Sequence, residues 1–284
     1  MAGTLIFGAG GQLGKELSFM MKDAICFEHS KESLTTDVEN KEWLEKVFSK
    51  YQPEVVINAA AYTDVDGCEI HRERAFSTNA LAVKNIANLC GKYSSRFFHV
   101  STDYVFDGKT GSYHENDVPS PINYYGLSKI IGDAFALSYD RTIVIRTSGV
   151  YGRKNNFPLF LYNSMKSGNR MKIIKGYYSP IHARLLAKSM IEIIEKHSEL
   201  HGVINIAGVR VSRMELARSI ASRFNLEFND PEEVDFIPSL KAARPYDSSL
   251  DISYGKTIIG FDFYSLDRNL SCFADDLNRK ENIT

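Results

Sequence analysis

The sequence predicts an α/β fold built on a doubly wound parallel sheet, and three observations support this. Short apolar runs alternate with longer amphipathic segments through the first half of the chain. A glycine-rich stretch follows directly on the first of those runs. After residue 150 the texture loosens into shorter pieces separated by loops, as expected for a smaller lobe attached to a large domain. At 284 residues the chain has room for both.

The strand-like runs come in order as TLIF (Thr4 to Phe7), AICF (Ala24 to Phe27), VVIN (Val55 to Asn58), RFFHV (Arg96 to Val100) and TIVIR (Thr142 to Arg146), each next to a helical segment. Between the second and third, a helix beginning near Asp37 keeps Trp43, Leu44, Val47, Phe48 and Tyr51 at spacings of three and four. That spacing makes one buried face and puts Trp43 in the core, and Pro53 closes the helix. Beyond Tyr151, the stretches NNFPLF, KSGNR, KGYYSP, FNDPEEVDF and SLKAARPYDSS separate shorter elements. The expected division is 1–150 for the main domain, joined by elements near 181–207, and 151–284 mainly for an interleaved C-terminal lobe.

Composition narrows the function. Hydrophobic residues make up 44%, charged residues 24%, and the formal net charge is -1, so nothing points to nucleic acid or to a membrane surface as a partner. Cys26, Cys68, Cys90 and Cys272 form no C-x-x-C pair and no disulfide spacing, so they read as buried small hydrophobes in a reducing compartment. The start MAGTLIFGAGG has no basic segment and too short an apolar run for a signal peptide, and no transmembrane run follows, so the expected location is cytoplasmic. The seven histidines are scattered, His99 reads as a core residue, and no metal site is assigned.

The first chemical motif is GAGGQLG, which comprises Gly8, Gly10, Gly11, Gln12, Leu13 and Gly14 and opens a helix after the first strand. Glycines there allow a sharp turn and close approach of backbone to a pyrophosphate, whose charge the helix N-terminus stabilises. The spacing is G-x-x-G-x-x-G, and the alternative is an ordinary glycine-rich turn. After the second strand, a carboxylate accepts from ribose hydroxyls whereas a cation favours a 2′-phosphate. Glu28 is followed by His29, Ser30 and Lys31, so both NAD and NADP stay open. Off the third strand, Ala59, Ala60 and Ala61 would let backbone lie against a flat ligand, with Asn58 fixing the turn. At the end of the fourth strand, STDYVF sets Thr102 and Asp103 where a ligand crevice opens. In NYYGLSK, Tyr125 and Lys129 share a helix face at i and i+4, and a nearby ammonium would lower the phenol's pKa toward the range of a working proton donor.

Taken together, GAGGQLGKEL, NAAAYTDVDGCE, AFSTNALAVKNIA, STDYVFDG, YHENDVPSPINYYGLSK, IRTSGVYG with NNF, and ARPYDSSLD resemble the short-chain dehydrogenase/reductase superfamily in its extended sugar-nucleotide branch. Within that branch they resemble the dTDP-4-dehydrorhamnose reductase family, with STDYVF to YGLSK as the most specific part. The resemblance implies a Rossmann-type dinucleotide-binding domain at 1–150 and a mainly substrate-binding lobe at 151–284. It implies Thr102 as substrate-orienting hydroxyl, Tyr125 as proton donor and Lys129 on the nicotinamide ribose. Asp103 and Tyr104 match a sugar-contacting pair, with Gly149, Asn156 and Arg244 also on the substrate side. Asp37, Val38, Tyr62 and Asn79 join the glycine loop, the residues from Glu28 to Lys31 and the alanine patch in holding NADP(H) or NAD(H). The implied reaction reduces the C4 keto group of a nucleotide-linked 4-keto-6-deoxyhexose, in the direction of dTDP-rhamnose.

The pattern also departs from the family. Its RTSW reads RTSG here, with Gly149 in the tryptophan's place and Tyr177 or Tyr178 as candidates to refill the space. Lys175 and Gly176 stand where Asp-Gln is usual, and Asp247 replaces an asparagine. Tyr104 stands where dehydratases carry a second acid, which disfavours water elimination. An epimerase and a non-catalytic regulatory subunit on the same fold remain as alternatives. Glu16 corresponds to an acidic residue near a magnesium site in some relatives, but one carboxylate is not a metal site. A homodimer is the family's expectation.

Overall fold

The computed structural model describes residues 3–28 and 37–281. Its centre is a six-stranded parallel sheet. β1 (Thr4–Phe7) lies between β2 (Ile25–Phe27) and β3 (Val55–Asn58), and the sheet continues through β4 (Arg96–Thr102) and β5 (Thr142–Thr147) to a last strand, Gly202–Asn205. The chain runs from β1 outward to β2 and then back across to β3. The order therefore reverses beside β1, and a crevice opens at the carboxyl ends of β1 and β3. β4 and β5 each run further than the apolar pattern indicates, to Thr102 and Thr147, because these hydroxyl residues pair with one another at the crevice rim.

Both faces of the sheet are covered, which is why its strands read as continuous apolar runs. Ile6, Ile57, Phe98 and Ile145 point to one face, where α1 (Gln12–Met20) packs on a helix at Ala183–Lys196. Leu5, Phe7, Val56, Phe97 and Val144 point to the other, under α2 (Lys41–Tyr51). On that side the chain continues through α3 (Val65–Ile70), α4 (Arg72–Phe76), a π-helical turn at Ser77–Leu81 and α5 (Ala82–Tyr93) to α6 (Tyr124–Leu137).

α2 begins at Lys41 rather than near Asp37, because the Asn40 side chain accepts from the Trp43 N–H at 3.0 Å and so marks the first turn. Trp43 is only partly buried. It sits at the rim, edge-on to Phe7 and Phe27 with ring centroids 6.0 and 5.0 Å away. Cys68, Cys90 and Cys272 are buried as expected, but Cys26 is exposed, because β2 is an edge strand.

A second core gathers Tyr151, Met165, Ile173, Tyr178, Leu216, Ile220 and Phe273. It is built from β6 (Val150–Tyr151), α7 (Phe157–Lys166), β7 (Lys172–Ile174), β8 (Tyr177–Tyr178) and β9 (Ile181–His182), and from elements after the Ala183–Lys196 helix, α8, and the Gly202–Asn205 strand, β10. Those later elements are β11 (Val211–Ser212), α9 (Arg213–Arg223), β12 (Glu232–Val234) and α11 (Leu266–Glu281), whereas α10 (Ser253–Ile258) packs beside β10 on the main sheet. Within this part β7 pairs with β12, β8 with β11 and β6 with β9. No helix among the described residues is long and apolar enough to cross a membrane.

Candidate active site

The crevice holds two cavities that share Gly11, Ala59 and Ala61. The outer, of about 640 Å³, is walled by the glycine loop, Glu28, Asp37, Val38 and Tyr62, and the inner, of about 440 Å³, reaches Thr102, Tyr125, Lys129 and Gly149.

The glycine loop is shaped for close approach. Gly8 has φ +83°, and a Cβ there would lie 2.5 Å from the Ala60 nitrogen, while one on Gly14 would lie 2.1 Å from the Gly8 oxygen. Gly11 caps α1 without a side-chain hydrogen bond, which leaves the first amides of the helix, around Gln12 and Leu13, for an anion. These features fit a dinucleotide pyrophosphate. The Glu28 carboxylate lies against Gly10, where a Cβ would be 2.8 Å from Oε2. His29, Ser30 and Lys31 lie outside the described residues. The alanine loop is pinned from behind. Asn58 Oδ1 accepts from the Ala60 N–H, and Asn79 makes bonds of 2.8 and 3.1 Å to the Tyr62 backbone and a third of 2.9 Å to Ser128 on α6. Asn79 thus shapes the cavity wall from a buried position.

Two cations in the outer cavity have no signal in the local sequence. Arg74 stacks over the Tyr62 ring at 4.8 Å. Lys154 comes from the β6–α7 loop and donates to the Gly10 carbonyl, while its backbone exchanges hydrogen bonds of 3.3 and 3.1 Å with the Gln12 amide. Asn156 holds that loop, capping α7 through Leu159 and bonding the Gly152 and Lys154 carbonyls, and its neighbour Asn155 lines the inner cavity. Lys154→Gln is expected to weaken binding of NADH and NADPH alike by roughly tenfold. Fluorescence titration checks this, and an unchanged affinity would remove Lys154 from the site.

At the floor of the inner cavity, Thr102 ends β4 and accepts from the Tyr104 N–H at 3.2 Å. α6 begins one residue before Tyr125, capped by Asn123 on the Gly126 N–H at 2.8 Å. Gly126 touches the Tyr104 carbonyl so closely that a Cβ would stand 2.0 Å from it. This contact brings Tyr125 edge-on to Tyr104, with ring centroids 5.9 Å apart, and sets it with Thr102 on the wall of the inner cavity.

The expected lowering of the phenol's pKa is not found. Desolvation raises Tyr125 above its ordinary value, against the opposing effect of the Thr102 hydroxyl. The influences acting most on that phenol are its burial, Thr102 and Asp103, while the buried Lys129 ammonium donates to the Val100 carbonyl at 2.7 Å. Burial pushes Lys129 itself down to about 8, opposed by Asp133. A phenol protonated at neutral pH suits a proton donor.

The expected substrate-side residues have partners of their own. Asp103 is buried and accepts from Ser148 at 2.7 Å, Ser248 at 2.5 Å and Thr102 at 3.2 Å, and burial raises its pKa despite these bonds. Arg244 grips Asp66 through two bonds of 2.7 and 3.2 Å and the Ala242 carbonyl at 2.8 Å. Asp247 is explained by Arg210, which forms bonds of 2.9 and 2.7 Å to its carboxylate. Glu16 pairs with Arg184, which also binds Asp275 and Asp276, and no group of acids, histidines or cysteines among the described residues could hold a metal ion.

Of the two tyrosines near Gly149, Tyr178 fills the space. Gly149 has φ +31°, and a Cβ would stand 2.7 Å from the Tyr178 ring, whereas Tyr177 stacks under Arg210 at 3.6 Å. Gly149→Trp is therefore expected to destabilise the fold by roughly 1–3 kcal/mol or more. Thermal denaturation checks this, with relief expected when Tyr178 is also reduced to Ala.

A family model described as the RmlD substrate binding domain matches residues 1–279. The dTDP-4-dehydrorhamnose reductase of Aggregatibacter actinomycetemcomitans is 36% identical over 201 residues, 69% of this chain and 68% of that protein. The crystal structure of a hypothetical dTDP-4-dehydrorhamnose reductase from Sulfolobus tokodaii has 47% identity and a TM-score of 0.87 over 93% of this chain and 97% of that one. That of a dTDP-4-dehydrorhamnose reductase from Bacillus anthracis in complex with NADP has 29% identity and a TM-score of 0.85 over 95% and 96%.

Proposed function

We propose, for a chain that belongs to the dTDP-4-dehydrorhamnose reductase family, NAD(P)H-dependent reduction of the keto group of a nucleotide-linked sugar, with C4 of a dTDP-linked 4-keto-6-deoxyhexose as the reacting carbon. The observation that supports it most is the hydroxyl pair of Thr102 and Tyr125, which together line a cavity contiguous with the glycine loop.

The glycine loop, the α1 N-terminus, Ala59 to Tyr62 and Lys154 would hold the dinucleotide. When bound, the reduced nicotinamide supplies the hydride. Thr102 orients the sugar oxygen and Tyr125 gives it the phenolic proton as negative charge develops there. Lys129, as an ammonium beside that helix face, stabilises the phenolate left behind. Tyr104 supplies an aromatic wall, and with Asp103 held by three hydroxyls the cavity lacks the adjacent acid pair that dehydration requires.

The test is oxidation of NADH and of NADPH, followed at the nicotinamide absorbance, with freshly generated dTDP-4-keto-6-deoxyhexose. Sugar-dependent oxidation of either is the expected result. Tight cofactor binding without oxidation would overturn the reading.

A further inference from the structure

Beneath the crevice Lys129 reaches into a buried polar cluster whose other members this mechanism does not use. Lys129 is only 1% exposed, and its ammonium meets the Val100 carbonyl at 2.7 Å and His99 Nε2 at 3.3 Å. A chain of hydrogen bonds sets the tautomer of His99. The Ala60 N–H donates to Asn58 Oδ1, so Asn58 Nδ2 faces His99 Nδ1 at 3.3 Å and donates to it. Nδ1 is then the acceptor, and the ring proton sits on Nε2. Nε2 stands 3.6 Å from Asp133 Oδ1, and as a donor it accepts nothing from the Lys129 ammonium on its other side. Burial, and next the charge of Lys129, push the His99 pKa well below its ordinary value, so the ring stays neutral and adds no charge.

Asp133 therefore supplies the negative charge of the cluster. It is fully buried one helical turn beyond Lys129, and no hydrogen-bond partner reaches its Oδ1. Its Oδ2 accepts from Ser101 at 2.7 Å and lies 3.7 Å from the buried Arg146 Nε. One carboxylate thus serves two buried cations. The titratable groups packed around Lys129 are Asp133 on its own helix, His99 on β4 and Arg146 on β5, with Tyr125 and Asp103 on the cavity side. A desolvated ammonium with no counter-charge sheds its proton.

We propose that Asp133, across the neutral ring of His99 from Lys129, is a positioning residue that keeps Lys129 an ammonium in the cavity that Tyr125 lines, and that Arg146 limits this hold by drawing on the same carboxylate. The proposal rests on the reading of Lys129 as the cation of a reductase. Two substitutions should then act with opposite sign. Asp133→Asn removes the counter-charge and lets Lys129 lose its proton at lower pH. Arg146→Met leaves the carboxylate to Lys129 alone and raises the pH of that loss.

The experiment titrates the free protein with 13Cε-labelled lysine by NMR, the Lys129 resonance being identified by its loss in Lys129→Met. The alkaline limb of kcat/KM is measured alongside. The expected result is a midpoint lowered by roughly one pH unit or more in Asp133→Asn and raised in Arg146→Met, with the kinetic limb following both. Unmoved midpoints, or rates lowered equally at every pH, would mean mere packing and overturn the proposal. Should Asp133→Asn fail to fold by circular dichroism, the sign of the shift in Arg146→Met decides. Absence of turnover in the unaltered enzyme would sink the reductase reading, while the NMR midpoints would still decide the role of Asp133.

Discussion

Replacing Tyr125 with Phe is expected to leave dinucleotide affinity unchanged and to lower turnover by roughly a hundred- to ten-thousandfold. The ring keeps its place against Tyr104, since the edge-to-face contact at 5.9 Å involves no hydroxyl. Only the phenolic hydroxyl is lost from the cavity. Tyr125 holds its proton at neutral pH as any tyrosine does, and since burial raises its pKa and makes it a weaker acid, the charge developing on the sugar oxygen has to draw the proton across. Single-turnover rates and fluorescence titration separate the two effects. A variant with the rate of the unaltered protein would show that water or another group gives the proton.

Gly126→Ala is expected to lower both stability and kcat/KM, although alanine is the better helix former by about 1 kcal/mol. The added methyl would stand 2.0 Å from the Tyr104 oxygen and 2.9 Å from the Pro121 Cβ, and both the helix start and the Asp103–Val105 turn are fixed by their own hydrogen bonds. α6 must then back away, at roughly 1–3 kcal/mol for overpacking, and it takes Tyr125 and Lys129 with it. A displacement of about 1 Å at the reacting centre costs on the order of a hundredfold in rate. Urea unfolding and steady-state kinetics check the pair of effects. A stabilised, fully active Gly126→Ala would mean that the close approach of helix and turn does not position the site.

What could be read from the sequence was what is encoded within one βα unit. The five strand runs were visible because both faces of the sheet are covered, and Thr102, Tyr125 and Lys129 because an end of strand and a helix start lie within 30 residues of each other. Contacts that join distant segments left no local mark. Lys154 meets Gly10 and Gln12 across more than 140 residues, and Asp66 engages Arg244 across 178. The choice between Tyr177 and Tyr178 depends on which strand face packs on Gly149, and two adjacent tyrosines carry no signal for that. Spacing alone put Tyr125 and Lys129 on one helix face but gave no sign of the Val100 carbonyl that accepts from the ammonium.

The most direct measurement of the central claim uses NADH and NADPH deuterated at the transferable nicotinamide position, with a dTDP-linked 4-keto-6-deoxyhexose, and locates the label in the recovered sugar. Reduction through Tyr125 predicts one deuterium on sugar C4 for each cofactor oxidised, and its loss in Tyr125→Phe. Recovery of unlabelled sugar with the cofactor unoxidised would contradict it: an altered configuration in that sugar would indicate an epimerase, and an unaltered one a binding protein on the same fold.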